Sequence, residues 1–237
     1  MLRNHILKIS GLLVLTAVMV PAFSQDAKPD YSKQIFSLAK PVQPPTIEID
    51  VTDAPEVKPW AEEVRKLAAE WFVNIAQILD TDNYKPPKTV TLTFKKGIDP
   101  PAYADGKGIT IKVEWIKAHP EDFGIVIHEM THIIQSYNRT PRDTGWLVEG
   151  IADYVRWWRY EPETPRPHID KEKGSYRDAY RTTAAFLAWA VGKYDRQLVR
   201  KLDGGLRHGN YTADIWEKST GKKLDDLWAE FIAQYKF

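Results

Sequence analysis

Ile127-His128-Glu129-Met130-Thr131-His132, followed by Trp146-Leu147-Val148-Glu149-Gly150-Ile151-Ala152-Asp153, is the stretch that decides the reading of this chain. The first segment carries H-E-x-x-H inside a helical pattern. Residues four apart lie on one helix face, so His128 and His132 can reach a single metal ion. Glu129, one position on, then points beside them at a zinc-activated water and is the candidate general base. By the chain's own His and Glu frequencies such a pattern arises by chance in about one chain in a hundred, so it needs its context.

That context lies seventeen residues past His132, where Glu149 and Asp153 stand four apart on a second helical segment. An antiparallel return across the short Asn138 to Gly145 connection brings Glu149 to the metal as third protein ligand. The fourth position stays open, as in a catalytic rather than a structural zinc site. Asp153 is placed to accept the free ring N–H of a ligand histidine and fix its tautomer. Gly150 is expected to let the two metal-bearing helices approach closely. The apolar flanks Leu147, Val148, Ile151, Ala152 and Val155 mark this helix as largely buried.

Outward from this centre, the chain reads as α+β, with a small mixed or antiparallel N-terminal sheet and one helix, then a mainly helical second half. Thr46–Val51, Thr89–Phe94 and Gly108–Val113 alternate as strands, the last introduced by Asp105-Gly106. Trp60–Leu79 repeats apolar residues at helical spacing. The metal-binding helix is expected from Pro120 to about Tyr137, with Pro120, Glu121 and Asp122 as its first turn. A second helix is expected over 146–158. A third runs from Ser175, where Ser-x-x-Asp to Asp178 has the form of a capping box, to Tyr194; two or three short helices close the chain, the last at Leu224–Tyr235.

The first 24 residues have the form of a cleavable export signal: Arg3 and Lys8, an apolar run from Ile9 to Val20, then Ala22-Phe23-Ser24. The expected organisation is a signal peptide at 1–24, an extended proline-spiked leader at 25–45, and one catalytic domain at 46–237, secreted or periplasmic and monomeric. The apolar run is too short to span a bilayer, so no membrane anchor is expected. Without Cys there is no disulfide, and the core, the metal or both must hold the fold. Removal of Arg3 and Lys8 takes 33 basic residues to 31 against 32 acidic ones, moving the formal charge from +1 to −1. That balance gives no support for nucleic-acid binding.

The two quoted stretches, with Tyr154-Val155, Tyr180-Arg181-Thr182-Thr183-Ala184-Ala185-Phe186-Leu187 and Leu224-Asp225-Asp226-Leu227-Trp228, resemble the basic secretory protein family of plant and bacterial peptidases, from about Thr46 to the C-terminus. The resemblance implies a zincin-like, thermolysin-like catalytic core of the gluzincin type, dependence on one Zn2+ ion, export, and hydrolysis of peptide bonds. The chain lacks the basic excess for which the family is named.

Peptidases of this type need a donor for the oxyanion of the tetrahedral intermediate. Tyr180 is the candidate and Tyr176 the runner-up. Ile109–Val113 is a candidate edge strand for pairing with extended substrate, and His119 a candidate cap of the metal-binding helix. The competing function is a non-catalytic zinc-containing protein that holds a cell-wall glycan or a protein partner on Trp157, Trp158 and Tyr160. Completeness of the set His128, Glu129, His132 and Glu149 favours the enzyme.

Overall fold

Alternating, β-branched Thr46–Asp50 (β1) and Thr89–Lys95 (β2) form parallel neighbours, Ile47 pairing with Val90 and Ile49 with Leu92. A parallel pair needs a crossover, here α1 (Lys58–Ile78), whose buried residues Ala61, Val64, Ala68, Phe72 and Ile75 recur at three or four positions on the face against the sheet. The computed structural model describes residues 42–236 apart from 81, 83 and 107. The expected signal peptide and the leader up to residue 41 lie outside them.

β3 (Ala102–Ala104) and β4 (Gly108–Lys112) complete a mixed sheet of order β1-β2-β4-β3, with β2 and β4 parallel and β3 and β4 antiparallel. The expectation of an edge strand at Ile109–Val113 is therefore corrected. β4 is interior, and the edge belongs to the three-residue β3, which is too short to show a period. Asp105 and Gly106 (φ 88°) turn the hairpin between them, the Asp105 carboxylate accepting the Gly108 N–H at 2.9 Å.

After the short α2 (Val113–Ala118), the central helix α3 spans Gly124–Gln135. It starts four residues later than expected, because the residues from Pro120 to Phe123 form turns instead. Asp122 Oδ1 accepts the Ile125 N–H at 3.2 Å and so caps the first turn. His119 is not that cap: its backbone N–H closes α2 onto Trp115. Gly124 leaves room for the Glu161 carboxylate, which a Cβ there would meet at 2.4 Å and push aside. All of α3 except His132 is buried, as an all-round apolar helix must be. One carbonyl of its last turn, Ile134 O, accepts from Arg207 at 3.0 Å.

α4 (Gly145–Tyr154) continues into a π-helical turn at Val155–Tyr160, an interruption inside the helix expected over 146–158. The Ser175–Asp178 capping box is present, but it caps a 3-10 turn at Tyr176–Asp178 rather than the long helix. That helix, α5 (Tyr180–Lys193), begins only at Tyr180, where Ala179 and Tyr180 both stand at positive φ (62° and 45°). α6 (Leu198–Arg207), α7 (Asp214–Thr220) and α8 (Leu224–Gln234) finish the described chain. The aromatic load fills this half: Phe186 stacks on Trp216 at 5.2 Å and meets Trp228 and Phe231 at 5.4 and 5.5 Å. No helix among the described residues is long and apolar enough to cross a membrane.

Gly150 serves a different contact from the one expected. Its missing Cβ would lie 2.2 Å from Thr183 Cγ2, so it permits close packing of α4 on α5 rather than on α3. Gly150→Ala is expected to lower unfolding free energy by about 1–3 kcal/mol through overpacking, although alanine gains about 1 kcal/mol in helix propensity. A urea titration that finds Gly150→Ala more stable than the parent would contradict this packing.

Candidate metal centre

α3 and α4 bring His128, His132 and Glu149 to one point. The Nε2 atoms of the two histidines are 3.1 Å apart, and Glu149 Oε2 lies 3.3 Å from His128 Nε2 and 3.5 Å from His132 Nε2. Three electron-rich atoms in a triangle of these edges, from residues with little exposure, form a group that could hold a metal ion.

Each imidazole is fixed from behind. His128 Nδ1 donates to the buried Asp153 Oδ1 at 2.7 Å. His132 Nδ1 donates to Gln135 Oε1, also at 2.7 Å, and the Gln135 amide is itself oriented by donating to Val148 O at 3.1 Å. Gln135 was not foreseen. Its signal was available, since it follows His132 by three residues on the same helix face. Both outer bonds occupy Nδ1 and turn the Nε2 lone pairs toward the common point.

Glu129 lies beside this triangle, buried, with a backbone hydrogen bond from Ala104 on β3. Burial raises its pKa above the usual carboxylate range, more than the neighbouring His128 and His132 lower it. Glu149 behaves oppositely. Burial pushes it up, but the bonds to His128 and His132 outweigh burial and hold it at about 2. For His128, burial favours the neutral ring, and the Asp153 and Glu149 carboxylates overcome this to raise it to about 9.

A cleft of about 660 Å³ opens over these groups. β3 supplies one wall through Ala102, Tyr103 and Ala104, and Tyr180 and Arg181 at the start of α5 supply another. Tyr180 and Tyr103 are the large aromatic side chains most exposed among the described residues, at 55% and 38%. The Tyr180 ring lies nearly parallel to His128, with centroids 6.3 Å apart, and its pKa is raised chiefly by the Glu149 charge, so its hydroxyl stays a donor. Tyr176 is not in the cleft. It packs on Trp146 at 5.0 Å and donates to Asp225 at 2.9 Å, which corrects the runner-up role.

The aromatic run expected as a glycan platform is also dispersed. Trp158 sits under Arg166, Tyr160 packs edge-on against Trp71 at 5.0 Å, and Trp157 lines the cleft between two arginines.

Against the known families, a model described as "Peptidase of plants and bacteria", the BSP family, matches residues 56–231, well over half of the chain. The chain belongs to this family. Comparison with curated proteins and with solved structures gives no match. The BSP match encloses the metal group, Glu129, Asp153 and Tyr180 alike.

In the metal-free protein the raised His128 holds a proton that an incoming cation must displace. That proton stabilises the fold fully below the ordinary histidine pKa of 6.5, and its contribution is lost as pH rises through about 9. If the group takes up a divalent cation, its apparent affinity, with Zn2+ as the probe, is accordingly expected to rise by about tenfold per pH unit toward pH 9 and then level off. A competition titration with a chromophoric chelator measures this; an affinity independent of pH between 7 and 9 would contradict it.

Proposed function

We propose that the chain is an exported zinc-dependent peptidase of the gluzincin type with a zincin-like core, a single domain from about residue 46. The observation that carries the proposal is the His128–His132–Glu149 triangle beside a buried carboxylate that is not part of it. Two imidazoles and one carboxylate are a donor set that suits zinc. Its ligand distances of 2.0–2.2 Å give a tetrahedral edge of about 3.3 Å, against the 3.1, 3.3 and 3.5 Å of the triangle. Three protein ligands leave the fourth position to water or substrate, as catalytic sites require.

When bound, zinc supplies a lowered pKa for a water molecule and polarisation of the scissile carbonyl. The protein's own groups do the rest. Glu129, its basicity raised by burial, takes the proton from the attacking water and delivers it to the amine nitrogen as the C–N bond breaks. Tyr180 O–H donates to the carbonyl oxygen as it gains negative charge. Asp153 and Gln135 hold the two imidazoles in the tautomer that faces the metal. The free edge of β3 lies along the cleft, where an extended peptide can add as a further strand.

Glu129→Gln keeps the shape of the side chain and removes the base, so cleavage of a mixed peptide library is expected to fall by about 10²–10⁴-fold while zinc content stays at one ion per chain. Tyr180→Phe is expected to lower kcat by about 10²–10³-fold with little change in KM. Undiminished cleavage by Glu129→Gln would falsify the mechanism. Stoichiometric zinc with no cleavage by the parent chain would favour the binding-protein alternative.

A further inference from the structure

We propose that Arg156, Trp157 and Arg181 form a carboxylate-binding subsite that selects the peptide lying in the cleft, a refinement that rests on the peptidase reading above. The π-helical turn after α4 and the first turn of α5 bring two guanidinium groups onto one indole. Arg156 Cζ is 4.0 Å from the Trp157 ring centroid and Arg181 Cζ is 4.5 Å from it. All three residues line the cleft that holds the metal group. Stacking on a flat ring immobilises guanidinium planes, so these cations are held in place before any ligand arrives.

Their charges are compensated unequally. Arg156 pairs with Asp122 at 2.6 Å and approaches Glu161 at 3.6 Å. Arg181 has no carboxylate within ion-pair distance among the described residues, and its one hydrogen bond there runs to the Pro165 carbonyl. The Nε atoms of both arginines are buried without a hydrogen-bond partner among the described residues. A guanidinium has five N–H donors; Arg181 donates one terminal N–H to a neutral carbonyl and its Nε is enclosed, so on this cleft-lining residue the remaining terminal N–H groups are the ones left to donate. The group that best matches two terminal N–H donors of a guanidinium is a planar anion, and in a peptide that group is a carboxylate.

Position sets where that carboxylate falls on the substrate. Arg181 directly follows Tyr180, the proposed oxyanion donor, and Arg156 follows Asp153 by three residues. The subsite thus belongs to the segment close to the scissile bond. The carboxylate is either an Asp or Glu side chain or the C-terminus of the peptide.

The test uses the zinc-loaded chain and four decapeptides: one with a single Glu in a neutral sequence, its Gln counterpart, and each with a free or amidated C-terminus. The parent is expected to favour a carboxylate-bearing peptide by about 10- to 100-fold in kcat/KM, the range of a charge-assisted hydrogen bond. A preference that survives amidation assigns the side chain; one abolished by amidation assigns the C-terminus. In Arg181→Gln the preference is expected to collapse, in Arg181→Lys to persist in part, and in Arg181→Glu to invert, the Gln peptide being cleaved better than the Glu peptide. Thermal unfolding of each variant separates a folding loss from a binding loss.

Calorimetric binding of the same peptides to Glu129→Gln separates the two levels of the proposal. Carboxylate-dependent binding without cleavage by the parent sinks the peptidase reading and leaves the subsite standing. Cleavage by the parent with no carboxylate preference, or a preference untouched in Arg181→Gln, overturns the subsite and leaves the peptidase reading intact.

Discussion

Three electron-rich atoms, two imidazole nitrogens and a carboxylate oxygen, are held within 3.1–3.5 Å of one another, a costly arrangement for the chain to keep in place. Such atoms repel unless a cation or a proton sits among them. The surrounding architecture can be understood as what keeps them there. α3 is buried around almost its whole circumference, α4 is anchored to α5 through the Gly150–Thr183 contact, and Asp153 and Gln135 hold the imidazoles from behind. The raised His128 and lowered Glu149 are two sides of the same confinement, since each stabilises the charge on the other.

Charge is also arranged along the cleft. Carboxylates gather around the metal group, while Arg156 and Arg181 stand on the wall beside it. Asp122 links the regions: it caps the first turn of α3 through Ile125, takes the Trp115 indole N–H at 2.9 Å, and pairs with Arg156. Glu161 closes over the same helix start, in the space that the absent side chain of Gly124 leaves. A change at Asp122 would therefore reach both α3 and the cationic wall.

What the sequence made legible followed from periodicity and spacing. The α+β class, three of the four strands, α1, and the convergence of His128, His132, Glu149 and Asp153 could all be read from i,i+4 and alternating patterns. What escaped depended on few residues or on tertiary competition. β3 has three residues, too few for a period, and its existence moved the sheet edge away from Ile109–Val113. The start of α3 shifted because Asp122 serves as cap, and the helix expected from Ser175 broke because Ala179 and Tyr180 adopt positive φ, which composition does not announce. Gln135 was readable at i,i+3 from His132. The Arg156–Trp157–Arg181 wall was not, because it joins a π-helical turn to a distant helix.

The central claim is that these three side chains bind one zinc ion and leave a fourth position open. Zinc K-edge X-ray absorption on the metal-loaded chain tests it most directly. Expected is one ion per chain with four nitrogen or oxygen donors at about 2.0–2.1 Å and the multiple-scattering pattern of two imidazoles. A six-coordinate shell of oxygen donors, or a spectrum without imidazole scattering, would contradict it.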